Sequence, residues 1–189
     1  MVESLHLSQT GFVPDMDTYV NIGRLMEKLH RRRNQGKRTY LLFLDFSSAF
    51  NTVSHEKLFK MLENKKVLSP LEIQLLKAIY SRTVIELGEE RFRPNVGVPQ
   101  GSIISPYLFN VYAEDLLWEL QRGGWETDEL YGYADDHLII NGSLNQLRKA
   151  INIVKKWSSE FNVKMNNLKS GILEVAPKDK TPGLPVGSS

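Results

Sequence analysis

Two adjacent aspartates, Asp135 and Asp136, are enclosed by apolar residues on both sides. Leu130-Tyr131 precede them and Leu138-Ile139-Ile140 follow them, a pattern that predicts a hairpin packed on a hydrophobic core. Adjacent carboxylates at such a tip lose hydration and repel each other unless positive charge lies beside them. A pair of Mg²⁺ ions is one source of that charge. The alternative is an ordinary acidic turn exposed to water.

The composition indicates one domain with an ordinary core, since 41% of the 189 residues are hydrophobic. We expect this domain to span residues 1–176. The Pro-, Gly- and Ser-rich sequence after Ala176 predicts a flexible tail, 177–189. No apolar run approaches the roughly 20 residues that cross a bilayer, and no N-terminal signal pattern is visible. We therefore expect no membrane contact and an intracellular location, with the nucleus and an organelle such as the mitochondrion both left open.

The chain offers oxygen rather than sulfur to a metal. It contains no cysteine and only 4 histidines, which excludes disulfides and thiolate metal sites. Carboxylate and carbonyl oxygens are the ligands that Mg²⁺ and Mn²⁺ prefer. Any metal site in this chain is therefore expected to hold one of these ions.

Positive charge is concentrated in one segment although the formal net charge is only +2. Five basic residues, here called the basic cluster, predict a nucleic-acid contact on one face of the domain. The alternative is a solvated helix end, where basic side chains are favoured by the helix dipole. The basic cluster consists of Arg31, Arg32, Arg33, Lys37 and Arg38.

Helical and strand patterns alternate along the chain, and we expect at least part of the sheet to be antiparallel, which indicates an α+β fold. The predicted helices span 18–33, 54–64, a segment opened by Ser69-Pro70, 103–120 and 143–160. The predicted strands are 39–44, a turnback within 83–95, the hairpin around the two acids and a short closing pair.

A third acid, Asp45, ends the buried strand 39–44 and lies 90 positions before Asp135. In an antiparallel sheet the two strands can be neighbours, which would bring three carboxylates together. Such carboxylates repel strongly unless two divalent ions, about 3.5–4 Å apart, lie between them. This arrangement suits nucleotidyl transfer, in which one ion activates a 3′-hydroxyl and the other holds the triphosphate.

Five stretches, in this order, resemble motifs of reverse transcriptases, especially those of non-LTR retroelements and group II introns. They cover roughly residues 9–176. The resemblance implies a polymerase palm whose antiparallel sheet packs on helices, with partial fingers and no thumb. The stretches are Gln9-Thr10-Gly11-Phe12, Phe43-Leu44-Asp45-Phe46-Ser47-Ser48-Ala49-Phe50, Gly97-Val98-Pro99-Gln100-Gly101-Ser102 continuing through Ser105-Pro106-Tyr107-Leu108-Phe109-Asn110, Tyr133-Ala134-Asp135-Asp136, and Asn166-Asn167-Leu168-Lys169-Ser170.

The resemblance also implies a two-metal site for Mg²⁺ or Mn²⁺. Asp45, Asp135 and Asp136 would be the acidic ligands, and the backbone carbonyl of Phe46 would share a metal. Lys169 would neutralise pyrophosphate or donate a proton to it. A solvated surface lysine is the alternative for Lys169.

The same resemblance implies a nucleotide pocket. The backbone of Phe46 and Ser47 would approach the triphosphate. Phe50 would exclude a 2′-hydroxyl and so select deoxynucleotides, whereas the alternative is an ordinary core phenylalanine. Gln100 and Gly101 would line the pocket of the nascent base pair, although a Pro-Gly turn has the same appearance.

The implied partners are an RNA template, a DNA primer and a deoxynucleoside triphosphate. Asn51 departs from the family, whose non-LTR members usually carry Asp there. Few residues precede Gln9, and none of Met1 to Ser8 is Lys or Arg, so we also expect further polypeptide segments or a larger ribonucleoprotein assembly. Two alternatives stay open: a non-catalytic RNA- or protein-binding module built on the same palm, and an RNA-dependent RNA polymerase, against which Phe50 argues.

Overall fold

A four-stranded antiparallel sheet organises the chain in the computed structural model, which describes residues 5–178. The strand order is β5-β6-β1-β8. The helices are α1 Thr18–Asn34, α2 Ala49–Thr52, α3 His55–Lys65, α4 Pro70–Arg82, α5 Ser105–Arg122 and α6 Leu144–Phe161, with a 3₁₀ turn at Thr127–Glu129. The strands are β1 Thr39–Leu44, β2 Phe46–Ser47, β3 Ile85–Leu87, β4 Glu90–Phe92, β5 Leu130–Tyr133, β6 Asp136–Asn141, β7 Lys164–Met165 and β8 Gly171–Val175.

The central strand β1 is apolar on both faces because helices cover both sides of the sheet. Leu42 and Leu44 point into the main core with α5 and α6. Leu41 points to the other face, where Leu25 and Leu29 of α1 pack over it. Alternation along a strand sends successive side chains to opposite faces, so a continuous apolar run is what a strand covered on both faces requires.

The helices begin where local sequence signals predict. Asp17 accepts a hydrogen bond from the backbone of Val20 at the start of α1. Ser69 and Glu72 form a reciprocal capping box at the start of α4, which satisfies two otherwise open backbone donors. Pro106 lies in the first turn of α5, where its missing N–H costs nothing. α5 is buried along most of its length and forms the centre of the main core.

One predicted strand pairing needs correction, and two of the predicted helices expose apolar side chains. The apolar residues Tyr19, Ile22 and Met26 of α1 are exposed, because only one edge of that helix meets the sheet. Strands β7 and β8 do not pair with each other: β7 pairs with β2, and β8 pairs with the outer side of β1. In α4 the apolar residues are divided between core and solvent. Ile73, Leu76 and Tyr80 enter the core, whereas Leu71, Leu75 and Ile79 are exposed.

The α+β class with an antiparallel sheet packed on helices is confirmed. Within residues 5–178, none of the helices has the length and apolar character needed to cross a bilayer. The predicted tail, 177–189, lies outside the described residues except for its first two positions.

Candidate active site

Three acidic residues meet at one edge of the sheet. Leu44, the last residue of β1, lies opposite His137 of β6, which brings the next residue, Asp45, beside Asp136. Tyr133 pairs with Asp136 across the hairpin, so Asp135 lies in the two-residue turn between β5 and β6. The structure therefore brings together the three acids that the sequence singles out.

The electrostatics of this edge are those of crowded like charges. Loss of hydration is the largest effect raising the pKa of Asp136, followed by the negative charges of Asp135 and Asp45. Lys169 has the opposite effect on this pKa. Asp45, Asp136 and Lys169 also line one cavity of about 430 Å³. The site thus holds more negative charge than its own lysine offsets.

The donor set fits a hard divalent cation. Every candidate ligand is a carboxylate or a backbone carbonyl, and surplus negative charge is what a cation would neutralise. In residues 5–178, however, no three His, Cys, Asp or Glu side chains have the spacing of a ready-made metal site. Asp45, Asp135 and Asp136 would hold the ions, but they do not form a closed cage by themselves.

The backbone around Asp45 is fixed by the segment that carries Lys169. The carbonyl of Asp45 accepts a hydrogen bond from the backbone of Asn166 at 2.8 Å, and its N–H donates to Ser170 Oγ at 3.1 Å. Lys169 lies between these two contacts in sequence. Two backbone anchors therefore explain why a lysine so distant in sequence reaches the acidic edge.

His137 supports the acidic turn, and the sequence gives no sign of this role beyond its place next to Asp136. The buried imidazole lies 3.1 Å from the carbonyl of Asp135 through Nδ1. Burial lowers the pKa of His137 from its ordinary value of 6.5 to about 4. A neutral ring facing a carbonyl carries its proton on Nδ1, so His137 donates to Asp135 O.

Phe46 and Ser47 continue the chain from Asp45 as strand β2. The ring of Phe46 is buried against His137 and Trp157. Its side chain is therefore a core element, and only its backbone is available for the predicted contact with a metal or triphosphate. Ser47 is half-buried and pairs with Lys164 of β7.

A second cavity, of about 400 Å³, brings together Phe50, Gln100 and Gly101. The ring of Phe50 stacks on Phe109 of α5 with centroids 4.3 Å apart, which fixes its plane. The loop before α5 is tied to the same place because Val98 donates its N–H to the carbonyl of Phe50 at 2.9 Å. Three of the five residues predicted to contact the nucleotide thus line one pocket.

Asn51 and the loop before α5 contact each other directly. Asn51 Oδ1 accepts a long 3.5 Å hydrogen bond from Gln100. The backbone of Asn51 also lies under Gly97, which has φ +92°, and a Cβ there would come within 3.3 Å of the Asn51 carbonyl. Asn51, the position that departs from the family pattern, therefore contacts this loop through both its side chain and its backbone.

The sequence matches the family described as "Reverse transcriptase (RNA-dependent DNA polymerase)" over residues 1–183. The chain belongs to the reverse transcriptase family. Divalent metal ions are used generally by reverse transcriptases, which agrees with the oxygen-rich acidic edge.

The relatives include retroelement polymerases. The chain is 28% identical over 171 residues to the RNA-directed DNA polymerase from mobile element jockey of Drosophila funebris, covering 84% of this chain and 18% of the relative. It is 28% identical over 184 residues to the Pol polyprotein from type-1 retrotransposable element R2 of Popillia japonica, covering 91% and 26%. The chain therefore spans about a quarter or less of these two relatives' lengths.

The fold is shared with telomerase. A structure of telomerase from Candida tropicalis in complex with a fragment of telomeric RNA superposes with a TM-score of 0.72 at 13% identity. The match covers 88% of this chain and 30% of that chain. At this identity the likeness concerns the fold, and it agrees with a reverse transcriptase palm.

The basic cluster lies at the other end of the reverse transcriptase sheet, where β1 begins. Three of its five side chains have a polar partner elsewhere in the described part of the chain. Arg31 lies 3.9 Å from Asp128, Arg32 donates to Thr39 Oγ1 at 2.8 Å, and Arg38 lies 3.1 Å from Glu174. The structure thus gives these three side chains partners within the protein and does not bring the cluster to the acidic edge.

Proposed function

We propose that this chain is the catalytic palm of an RNA-directed DNA polymerase that transfers deoxynucleotides from their triphosphates onto a primer 3′-hydroxyl. The observation that carries the proposal is the meeting of Asp45, Asp135 and Asp136 at one sheet edge, beside Lys169. Uncompensated carboxylates in a cavity are costly for folding, so their presence together indicates a ligand of opposite charge.

Two Mg²⁺ or Mn²⁺ ions are the proposed cofactors, held by the three acids and by the backbone carbonyl of Phe46. When bound, they supply charge neutralisation and activation of the attacking hydroxyl. The remaining work belongs to the protein. Lys169 places a cation beside the acids, where it favours the charge that develops on leaving pyrophosphate. The hydrogen bonds from Asp45 to Asn166 and Ser170 hold the backbone of Asp45 against the segment that carries Lys169.

The pocket of Phe50 supports deoxynucleotides as the substrate class. A ring held flat against Phe109 cannot turn aside easily, so it can block a hydroxyl on the sugar by steric exclusion. Replacing Phe50→Ala is expected to reduce discrimination against ribonucleotides by about tenfold or more, measured as the ratio of kcat/KM values. Unchanged discrimination would remove this argument and favour a polymerase that does not select the sugar here.

The proposed partners are an RNA template and a DNA primer. Further polypeptide segments are also proposed, because the curated relatives are several times longer than the matched region. A non-catalytic RNA-binding palm is the alternative that the experiment below distinguishes.

The test is primer extension on an RNA template by the full protein that contains this chain, with Mg²⁺ present and with Mg²⁺ removed. Asp136→Asn is expected to lower the rate by about a thousandfold, the size of losing several kcal/mol of charge stabilisation. Glu89→Gln changes an exposed acid in the β3–β4 turn and is the matched control. Equal extension by Asp136→Asn and wild type would refute the chemistry. RNA binding with no extension under any condition would support the non-catalytic module.

A further inference from the structure

The turn between β5 and β6 is covered by a segment near the N-terminus. The backbone of residues 8–10 runs parallel to β5 at its outer edge, where Gly132 donates to the carbonyl of Ser8 at 2.7 Å. Thr10 donates in return to the carbonyl of Gly132 at 2.9 Å. This short stretch is thus an additional partner for the strand that leads to the acidic pair.

One side chain of that segment, Gln9, satisfies the turn itself. Gln9 Nε2 donates to the carbonyl of Ala134 at 3.1 Å, and Gln9 Oε1 accepts the N–H of Ala134 at 3.0 Å. The same oxygen accepts the N–H of Gly11 at 3.1 Å. Gln9 is only 3% exposed and Ala134 only 5%, so water is not a ready substitute for these bonds. A single amide therefore satisfies both backbone groups of the residue that precedes Asp135.

The turn needs such support because Ala134 adopts an unfavourable backbone conformation. Its φ is +55°, in the left-handed region that residues with a side chain seldom occupy. Gly11 lets the N-terminal segment come close enough to hold it, since a Cβ at Gly11 would lie 2.3 Å from the nitrogen of Ala134. The backbones of Gly11 and Ala134 are therefore in close contact, so a change in the position of the N-terminal segment would also displace the turn.

We propose that Gln9 is a positioning residue that fixes the orientation of the Asp135 and Asp136 carboxylates through the backbone of Ala134. The inference rests on the proposed function, since it assigns to the acids the role of holding metal. Gln9 holds the turn from one side, and His137 holds the carbonyl of Asp135 from the other at 3.1 Å. With both peptide groups fixed, the carboxylates keep a defined position even though like charge pushes them apart.

The test compares three variants of the full protein. Gln9→Met has nearly the same size but makes none of the three hydrogen bonds. Gln9→Glu keeps an oxygen that accepts from Gly11 and Ala134 but loses the bond to the Ala134 carbonyl. Ser8→Ala is the matched control, because it removes a hydrogen bond of the same segment, from Ser8 Oγ to the carbonyl of Thr127 at 3.0 Å, without touching the turn.

Three readouts separate positioning from general stability. Hydrogen exchange of residues 130–141 reports the turn itself. Electron paramagnetic resonance with Mn²⁺ alone reports metal binding. Primer extension gives the Mg²⁺ concentration at half-maximal rate, with kcat and KM for the deoxynucleotide. Thermal unfolding measured for every variant shows how much of any effect is loss of the folded state.

Gln9→Met is expected to raise the half-maximal Mg²⁺ concentration and the Mn²⁺ dissociation constant by about tenfold, the usual range for losing support of a metal ligand. The kcat of Gln9→Met should fall while its KM for the nucleotide stays near the wild-type value, and hydrogen exchange in residues 130–141 should become faster. Gln9→Glu should give values between those of wild type and Gln9→Met in each readout. If Gln9→Met matches Ser8→Ala in all three readouts at equal thermal stability, the positioning role is wrong. If wild type extends no primer, the proposed function fails, and exchange and Mn²⁺ binding decide the role of Gln9 by the same two outcomes.

Discussion

The two ends of strand β1 carry opposite charge, and the charged side chains at the two ends have different kinds of neighbour. At its beginning, the basic residues Arg31 and Arg38 meet Asp128 and Glu174. At its end, about 20 Å away for a strand of six residues, Asp45 meets other acids instead. At the basic end, two of the five charges have an acidic partner and Arg32 donates to the Thr39 hydroxyl, whereas the acids at the other end lie next to one another.

This difference separates charges that support the fold from charges that await a ligand. Exposed ion pairs contribute little to stability, but they do consume the charge that a partner would otherwise contact. Clustered like charges reduce stability, and a fold retains them at a cost that binding can offset. Like charges brought together beside a cavity are therefore better evidence for a site than a run of charge in the sequence, and they favour the acidic edge as the functional centre.

The largest expected effect concerns the acidic end at low pH, through His137. Its pKa is about 4 in the folded protein and near 6.5 when unfolded, so between these values the unfolded state binds more protons. Stability is then lost as pH falls from 6.5 towards 4, by about 3 kcal/mol for a shift of this size. Denaturant unfolding at several pH values between 4 and 8 measures this loss.

The control for that measurement is His137→Gln, which can still donate one hydrogen bond but does not titrate. Its stability should decline less than that of wild type over the same pH window, and the difference between the two curves isolates the histidine from the many carboxylates that also titrate. Parallel curves for the two proteins would mean that His137 is not the group responsible.

A smaller effect compares one acid-to-amide change at each end of the sheet. Asp136→Asn removes like-charge repulsion and should raise the free energy of unfolding without metal by about 1 kcal/mol, the Coulomb energy of two charges about 4 Å apart in a water-like medium. Asp128→Asn removes the partner of Lys28 at 2.6 Å and of Arg31 at 3.9 Å, and should lower it by about 1 kcal/mol. Denaturant unfolding in the presence of a chelator checks both signs.

Adding Mg²⁺ tests whether Asp136→Asn and Asp128→Asn also differ in metal binding. It should stabilise wild type and Asp128→Asn, because binding to the folded state alone raises its stability. It should stabilise Asp136→Asn less. A loss of stability in Asp136→Asn without metal would contradict the idea that the acids repel one another in the free protein.

The acidic edge could be predicted from sequence because strong local patterns define both of its strands. The run ending at Asp45 is apolar enough to be a central strand, and the flanks of Asp135-Asp136 define a hairpin. Only the pairing between the two had to be assumed. The pocket of Phe50 with Gln100 could be predicted only through the family resemblance, since its residues come from separate elements without a shared period.

Other features depend on contacts that no local pattern contains. An apolar stripe on α4 predicts a buried face, but both sides of that helix are apolar, and the side that carries Leu71 is the exposed one. The separate pairing of β7 and β8 follows from the path of the chain past β1. The hydrogen bonds of Gln9 span 125 positions in sequence, so its role could not be read from its motif alone.

The smallest expected effect concerns the basic end and tests whether its pairing matters. Within the described residues, the exposed side chains of Arg33 and Lys37 make no hydrogen bond or ion pair, unlike those of Arg31, Arg32 and Arg38. Each contact between a basic side chain and a phosphate releases a cation that was bound to the RNA. The logarithm of the RNA affinity therefore falls linearly with the logarithm of the salt concentration, with a slope of about 0.7 per contact for single strands. If the cluster contacts RNA, we expect the contact to use Arg33 and Lys37, whose side chains have no polar partner among residues 5–178.

The measurement is RNA binding by the full protein at a series of salt concentrations. Arg33→Ala with Lys37→Ala should reduce the slope by about 1.4 in total, whereas Arg31→Ala with Arg38→Ala should change it by much less, because those charges already have partners. An equal reduction by both pairs would mean that RNA displaces Asp128 and Glu174. In that case an ion pair within the protein would not show that a basic side chain is unavailable to RNA. The two ends of β1 would then differ only in the repulsion between the acids around Asp136.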